Sequence, residues 1–188
     1  VLDGAPLPPL PEGDGVGRVT RAENACRDYV NHVKSTAAFS LEGLRIAVDC
    51  ANGSASETAE TLFSELGADA LILNASPNGV NINAGCGSTH LEALAEYVTA
   101  HHLDCGVAFD GDADRCLCID ENGAVVNGDR IMAICALDLK ERGRLNRSTV
   151  VGTIMTNFGF GKFCEENGIR FEATKVGDRF GLEEMLLE

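Results

Sequence analysis

Short apolar runs alternate with segments of helical periodicity along most of this chain, and no other feature of the sequence constrains the fold as strongly. Residues 44–49 and 70–73 are rich in Leu, Ile and Val and predict strands. Between them, apolar side chains recur at helical spacing over residues 56–66 and stop before Gly67, a residue type that often ends helices. The pattern predicts a strand–helix–strand unit.

A second unit of the same kind follows along the chain. Thr89 and Glu92 have the spacing of a capping box, which predicts a helix from there to about residue 101, and residues 105–109 predict the next strand. Alternation of this kind is typical of an α/β fold, a mostly parallel sheet with helices on its faces. In such folds, ligands bind at the loops that follow the carboxyl ends of the strands.

The pattern changes after residue 115 and then restarts. Residues 116–120 and 124–126 flank Asn122-Gly123, a pair that favours a tight hairpin, so we expect the sheet to gain an antiparallel edge. From Gly128 the predicted elements are a helix to about residue 142, a strand over 149–154, a helix over 157–166, a strand over 169–173 and a helix after Gly177. The sequence therefore predicts two consecutive α/β domains, over residues 15–124 and 125–188, each a mostly parallel mixed sheet with helices on its faces.

The first residues of the chain differ from the rest. Four of the five prolines lie within residues 1–11, which cannot hold a regular helix or a central strand, so residues 1–14 are predicted to be a linker. Apolar spacing then predicts an amphipathic helix over residues 21–38 with Thr20 as its N-cap. Because the chain begins without an initiator methionine and stops within an apparent helix, we expect it to be part of a longer protein.

Charge and hydropathy exclude several kinds of partner. Fifteen basic against 29 acidic residues give a formal net charge of −14, which repels both nucleic acid and anionic membrane surfaces. No apolar run approaches the roughly 18 residues that a membrane helix needs, and the first residues do not have the basic, apolar and small-residue pattern that is typical of a signal peptide. We expect a globular cytoplasmic protein that binds neither nucleic acid nor membranes.

Eight cysteines are a large number for a chain of 188 residues. None has the Cys-x-x-Cys spacing that is typical of zinc or redox sites, and Cys50, Cys105, Cys116 and Cys118 lie in or beside predicted strands. We therefore expect reduced, packed thiols rather than disulfides or a zinc site.

Three aspartates, Asp110, Asp112 and Asp114, alternate with small residues directly after the predicted strand at 105–109. In a partly extended loop all three carboxylates can turn to one side, because the intervening residues offer little obstruction. Two carboxylates about 4 Å apart repel by about 4 kcal/mol at an effective dielectric constant near 20, so three together need a cation or wide exposure to water. Three local carboxylates suit Mg²⁺, which completes its octahedron with waters and a phosphate oxygen. The sequence thus predicts a catalytic Mg²⁺ site.

Other interpretations of the acidic loop exist. The three aspartates and Glu121 occupy the first, third, fifth and twelfth positions of an EF-hand, but Arg115 stands where that calcium loop needs glycine, and predicted strands flank the loop. A haloacid-dehalogenase-type phosphatase also carries an aspartate loop after a strand, with the first aspartate as nucleophile. However, metal ligation by all three aspartates would leave none free to attack phosphorus, and the threonine expected after the second aspartate of that motif is absent, since Ala113 and Asp114 follow. A non-catalytic module that binds a divalent metal or a sugar phosphate is a further alternative.

Residues 109–115, with the sequence FDGDADR, resemble the magnesium loop of the α-D-phosphohexomutases, four-domain enzymes that move phosphate between two hydroxyls of a hexose. Within that family, other segments are similar to those of the members that act on glucosamine phosphates: residues 49–53 (DCANG), 81–83 (NIN), 86–90 (CGSTH), 155–157 (MTN) and 175–179 (KVGDR). The resemblance extends from about Gly15 to the end of the chain and covers a second domain and much of a third.

The resemblance implies roles for individual residues. Asp110, Asp112 and Asp114 would hold Mg²⁺, and Arg115 would act as a catalytic residue that faces the transferred phosphate. Four residues of the KVGDR segment would contact the sugar-phosphate substrate, namely Lys175, Gly177, Asp178 and Arg179. The alternative for these is structural, with Asp178 capping the last helix, Arg179 paired with a carboxylate and Lys175 in solvent.

The resemblance also implies a reaction. A phosphoserine would give its phosphate to glucosamine 6-phosphate, and glucosamine 1-phosphate would form through a 1,6-bisphosphate, on the route to UDP-N-acetylglucosamine. Phosphomannomutase or phosphoglucomutase activity is the alternative within the family. The serine would belong to a first domain of which residues 1–14 are the tail, so the 188-residue chain by itself is expected to be inactive.

Two further features have weaker functional interpretations. His90 lies within the predicted capping box, and His101 and His102 end a predicted helix, where positive charge is favourable, so structural roles are favoured for all three. The segment over residues 52–54 lies between a strand and a helix and could form an anion site, although such a position alone is a weak signal.

Overall fold

The structure is a computed structural model that describes residues 9–187, so most of the predicted linker at residues 1–14 lies outside the described part of the chain. The strands within the described residues are β1 Arg45–Asp49, β2 Asp69–Leu73, β3 Cys105–Phe109, β4 Cys116–Asp120, β5 Val125–Val126, β6 Thr149–Thr153 and β7 Arg170–Thr174. The α-helices are α1 Ala25–Thr36, α2 Ala59–Glu65, α3 Glu92–Ala100, α4 Gly128–Glu141, α5 Phe158–Glu166 and α6 Asp178–Leu187.

The strands form two sheets, which confirms the predicted α/β fold with mostly parallel mixed sheets. The first sheet has the order β2-β1-β3-β4-β5. In it β1 runs parallel to both β2 and β3, and the β4–β5 hairpin adds an antiparallel edge. The second sheet pairs β6 with β7 in parallel. Each predicted strand forms with ends that differ from the prediction by at most one residue.

The first sheet is covered on both faces by apolar side chains. On one face Ala47, Ala108 and Ile119 pack with Leu94 and Val98 of α3. On the other face, Ile46 and Val48 of β1 pack with Ala59 of α2. β1 is thus buried on both sides, as expected for the central strand of a parallel sheet. Around the second sheet a separate cluster contains Ala136, Phe160, Cys164 and Ile169.

Two predicted helix starts were wrong. α1 begins at Ala25 rather than near residue 21, and Thr20 does not cap it; Asn24 precedes the helix without a side-chain cap hydrogen bond. The Thr89 capping box is also absent, because the Thr89 hydroxyl contacts His90 Nδ1 at 3.1 Å and the helix begins only at Glu92. In both cases the side chain that was assigned as a cap lies too far before the first helical turn.

The predicted hairpin forms as expected. Gly123 has the positive φ of 82° that the turn requires. The Asp120 carboxylate fixes the turn by accepting hydrogen bonds from the backbone N–H groups of Asn122 and Ala124 at 2.9 and 2.8 Å. The turn therefore lies at the end of β4 away from the acidic loop, because Asp120 pairs with Cys105 at the start of β3.

All eight cysteines are free thiols in the structure. Cys50, Cys86 and Cys164 are buried, but Cys26, Cys116 and Cys135 are exposed, so the prediction of packed thiols is wrong for these three. The described residues include no helix long and apolar enough to cross a bilayer.

Leu94 provides a test of the packing of α3 on the sheet, since its side chain is 1% exposed. We expect Leu94→Ala to lower the free energy of unfolding by about 2–5 kcal/mol, because it leaves a cavity where the helix meets the strands. Leu182→Ala removes the same atoms from a side chain that is 58% exposed, and should change stability by less than about 0.5 kcal/mol. Urea denaturation followed by circular dichroism measures both. Equal losses would contradict the packing described.

Candidate metal centre

The acidic loop lies at the carboxyl ends of two parallel strands, β1 and β3. β3 ends at Phe109, Asp110 follows directly, and the chain re-enters the sheet at Cys116. Both ends of the loop are therefore held in the same sheet, at the edge where α/β proteins bind ligands.

The structure brings the three aspartates of the loop together. One carboxylate oxygen from each of Asp110, Asp112 and Asp114 lies within 4.8 Å of the other two. Asp110 is buried, whereas Asp112 and Asp114 are exposed. Partial desolvation, followed by the charges of Asp112 and Asp110, raises the pKa of Asp114 above its ordinary value. A converging set of only oxygen donors fits a hard divalent cation, which would also relieve this repulsion.

Arg115 partly neutralises the loop from within. Its Nη2 and Nε lie 2.5 and 2.7 Å from Asp110 Oδ2, and its backbone N–H donates to Asp110 Oδ1 at 3.1 Å. Burial opposes ionisation of Asp110, but the hydrogen bonds from Arg115 outweigh it and hold the pKa of Asp110 below its ordinary value. The buried carboxylate is thus kept charged and fixed in orientation, while the Arg115 side chain stays 70% exposed.

Residues 53 and 54, in the turn after β1, support the acidic loop through close contact with its backbone. The backbone N–H of Ser54 donates to the carbonyl oxygen of Gly111 at 2.9 Å. A Cβ atom on Gly53 would lie 2.1 Å from that same oxygen, and one on Gly111 would lie 2.6 Å from Ile82 Cδ1. The 52–54 segment therefore supports the acidic loop, and the Ser54 N–H that an anion would need is already used.

Several non-glycine residues around this edge adopt left-handed backbone angles, which L-residues rarely do. They are Ala51 (φ 53°), Asn52 (49°), Asn74 (49°), Asn83 (56°) and Ala113 (58°). Such conformations persist where the surrounding structure holds them, and they concentrate at functional sites. Asn52 shows how they are held: its Oδ1 accepts from the Ser76 N–H at 3.1 Å, and its own N–H donates to the Asn74 carbonyl.

The EF-hand interpretation is wrong for this loop. An EF-hand loop is flanked by two helices, whereas Cys105–Phe109 and Cys116–Asp120 are strands that pair with one another.

Comparison with known proteins decides the family. Residues 27–123 match the model of phosphoglucomutase/phosphomannomutase alpha/beta/alpha domain II, and residues 127–188 match that of domain III. The chain belongs to the phosphoglucomutase/phosphomannomutase family. The predicted resemblance to phosphohexomutases is thereby confirmed.

Relatives within this family include bacterial phosphoglucosamine mutases. That of Acetivibrio thermocellus is 49% identical over 186 residues, which is 99% of this chain and 41% of the relative. That of Clostridium acetobutylicum is 51% identical over 180 residues, which is 96% of this chain and 40% of the relative. The chain thus spans about 40% of the length of these curated relatives.

Solved structures share the fold of this family member. A phosphoglucomutase/phosphomannomutase family protein from Burkholderia thailandensis matches with a TM-score of 0.73 and 23% identity, over 86% of this chain and 35% of that protein. An N-acetylglucosamine-phosphate mutase in a substrate complex matches with a TM-score of 0.61 and 20% identity, over 85% of this chain and 32% of that protein.

The predicted substrate-binding residues of the family motif KVGDR lie beside the second sheet. Arg179 Nε donates to Glu183 Oε1 at 2.7 Å, which is the structural pairing considered as the alternative. Lys175 Nζ lies 5.7 Å from the centre of the Phe180 ring, and Gly177 has a φ of 133° directly before α6, which Asp178 opens. All four residues are exposed, so contact with a substrate stays a prediction.

His90 and His101 contact neighbouring residues of their own segments. His90 is exposed and contacts Thr89, outside any helix cap. His101 stacks on Tyr97 with ring centroids 3.9 Å apart, at the carboxyl end of α3, as expected. None of these contacts involves the acidic loop.

The sequence interpretation gave no role to Asp49, the last residue of β1, beyond its place in the segment DCANG. Its side chain is 3% exposed and accepts two backbone hydrogen bonds at the same edge of the sheet as the acidic loop. The available signal was a carboxylate that directly follows the apolar residues 46–48 and precedes a glycine-containing turn.

Gly53→Ala tests the support of the acidic loop in this phosphohexomutase-family chain. Gly53 has a φ of −113°, which alanine also adopts, so the substitution acts through the contact with the Gly111 carbonyl. We expect a loss of about 1–3 kcal/mol in the free energy of unfolding, together with weaker metal binding. Gly17→Ala adds a methyl group where nothing lies within 4 Å and is the matched control. Unchanged stability and metal affinity in Gly53→Ala would contradict the close approach.

Asp112→Asn tests the metal assignment. Calorimetric titration of the wild-type chain should show weak Mg²⁺ binding, because Mg²⁺ keeps its waters and no phosphate ligand is supplied. The variant should bind Mg²⁺ at least about tenfold more weakly, or about 1.4 kcal/mol. Asp69→Asn is the control, since Asp69 begins β2 at the opposite edge of the sheet. Tight, cooperative Ca²⁺ binding instead would overturn the assignment to Mg²⁺.

Proposed function

We propose that this chain is the metal-binding part of a phosphoglucosamine mutase, an enzyme that interconverts glucosamine 6-phosphate and glucosamine 1-phosphate through a phosphoserine and a 1,6-bisphosphate. The observation that carries the proposal is the convergence of Asp110, Asp112 and Asp114 at a strand edge, in a chain about half identical to phosphoglucosamine mutases. The proposal places the enzyme in the cytoplasm and its product on the route to UDP-N-acetylglucosamine. It also divides the chain into domains over residues 15–124 and 125–188.

The three aspartates would hold Mg²⁺ through one oxygen each. When bound, the ion would neutralise phosphoryl oxygens and make the serine oxygen a better leaving group. Asp110 is pre-set for this task, because Arg115 and the surrounding protein fix its orientation. Asp112 and Asp114 are exposed, so they face the side from which a phosphorylated group can approach.

Arg115 is well suited to a second role at the transferred phosphate. A guanidinium carries five N–H donors in a planar fork, and the contacts with Asp110 engage only the side of that fork that carries Nε and Nη2. Because the side chain is 70% exposed, its remaining donors are free to meet phosphate oxygens while the pair with Asp110 persists. In this role Arg115 stabilises charge on the group in transit.

The sugar phosphate would be held mainly by the second domain, over residues 125–188. We assign this contact to Lys175, Gly177, Asp178 and Arg179, which cluster at the start of α6. Lys175 and Arg179 would supply positive charge to the substrate phosphate, and Gly177 would offer it an accessible backbone. Arg179 would exchange Glu183 for a substrate phosphate, which is feasible because its side chain is 82% exposed.

A chimaera tests the proposal directly. The 186 matching residues of the Acetivibrio thermocellus phosphoglucosamine mutase are replaced by this chain, and formation of glucosamine 1-phosphate from glucosamine 6-phosphate is measured in the presence of Mg²⁺. We expect activity in the chimaera, a loss of at least about 100-fold on Asp112→Asn, and no activity from the 188-residue chain alone.

Each other outcome of the chimaera assay is informative. A folded chimaera that acts on mannose or glucose phosphates in preference to glucosamine phosphate would favour the phosphomannomutase or phosphoglucomutase alternative. A folded chimaera that binds Mg²⁺ but turns over none of these sugars would favour a non-catalytic module. Product formed by the isolated chain would contradict the need for a serine outside it.

A further inference from the structure

Asp49 and Asp110 are the buried charged side chains among the described residues, at 3% and 1% exposure. The charge of Asp110 is offset by Arg115. Asp49 has no ion-pair partner within residues 9–187, although burial of an unpaired carboxylate is costly. Its two oxygens instead accept backbone hydrogen bonds, Oδ1 from Ala51 N–H and Oδ2 from Gly87 N–H, both at 2.9 Å. Asp49 therefore links the turn after β1 to the segment over residues 86–88, far away in sequence.

The linked segment lies directly against the start of the acidic loop. The backbone N–H of Ser88 donates to the carbonyl oxygen of Phe109 at 2.9 Å. A Cβ atom on Gly87 would lie 2.6 Å from that same oxygen and 2.6 Å from Ala51 Cβ, so Gly87 is wedged between them with a φ of 75°. Phe109 directly precedes Asp110, so the position of residues 86–88 sets the position of the Asp110 backbone.

We propose that Asp49 is a positioning residue for the metal site: its carboxylate fixes residues 86–88 against the Phe109 carbonyl and thereby holds Asp110 where the three aspartates converge. The inference rests on the proposed function, because it concerns the same Mg²⁺ site. It assigns to Asp49 a role that touches neither metal nor substrate.

A carboxylate is required for this link and an amide does not replace it. Each Asp49 oxygen accepts one N–H from a different segment. Asparagine offers a single acceptor oxygen, and its NH₂ group would face an N–H donor. Burial, and then the charge of Asp49, raises the pKa of the Cys50 thiol to about 11 and also raises that of Cys86, so these two thiols add no negative charge beside the carboxylate near neutral pH.

Binding of Mn²⁺ to the 188-residue chain, followed by electron paramagnetic resonance with Mg²⁺ as competitor, tests the proposal. We expect Asp49→Asn to weaken binding by about tenfold or more, as do changes in groups that orient metal ligands. Leu94→Ala is the matched control, since it destabilises the same sheet from the face against α3 and should change the dissociation constant by less than about twofold. All variants are compared below their unfolding transitions.

The outcomes separate this inference from the proposed function. If the wild type and Asp112→Asn bind Mn²⁺ equally, the metal site itself fails. If Asp112→Asn loses binding but Asp49→Asn binds like the wild type, only the positioning role fails. An equal loss of Mn²⁺ affinity in Asp49→Asn and Leu94→Ala would contradict the positioning role and indicate that Asp49 contributes only to stability.

A measurement on the wild type covers the case in which Asp49→Asn does not fold. Coupling between two sites is reciprocal, so if residues 86–88 set the metal affinity, bound Mg²⁺ must stabilise those residues in return. Hydrogen exchange of the Gly87 and Ser88 amides should slow when Mg²⁺ is added, whereas exchange of the Ile72 amide in β2 should not. Unchanged exchange at Gly87 and Ser88 under saturating Mg²⁺ would overturn the proposal.

Discussion

Parallel pairing of β1 with β2 and β3 is the constraint on which the rest of this site depends. It brings the carboxyl ends of three strands to one edge, so the turns that follow them meet although up to about 60 residues separate them in sequence. The acidic loop, the turn at residues 50–54 and the segment at residues 81–88 are in contact for this reason alone. On a sheet with a different strand order, the turns that support the acidic loop would not meet it.

Electrostatics and sterics act on this edge in opposite directions. Three carboxylates repel one another, and Arg115, the cation within the loop, lies 2.5 Å from Asp110 but 3.4 Å from Asp114. The surrounding backbone is therefore built to resist displacement: Ser54 holds the Gly111 carbonyl, Ser88 holds the Phe109 carbonyl, and Asp49 ties the two supporting segments together. The loop is held by hydrogen bonds to its main chain, which leaves the exposed carboxylates available for a ligand.

The sequence predicts the strands and the acidic loop well, because both depend on local patterns. Alternating apolar runs place β3 at residues 105–109 and the aspartates at its end, as the structure has them. Helix starts are predicted less well, since Thr20 and Thr89 have the residue type of a cap but neither lies where the first helical turn forms. The pairing of Arg179 with Glu183, four residues later on the same helix, follows a local pattern. The link from Asp49 to Gly87, in contrast, spans 38 positions that no local pattern connects.

The contact between Gly53 and Gly111 has a consequence for how the site can change over evolutionary time. A clash between two side chains can be relieved by a smaller residue at the second position, but here the obstructing atom is a carbonyl oxygen that every residue carries. No substitution at position 111 can compensate for a side chain at position 53. The glycine beneath the acidic loop therefore has no route of second-site rescue, because the atom that obstructs a side chain there belongs to the main chain.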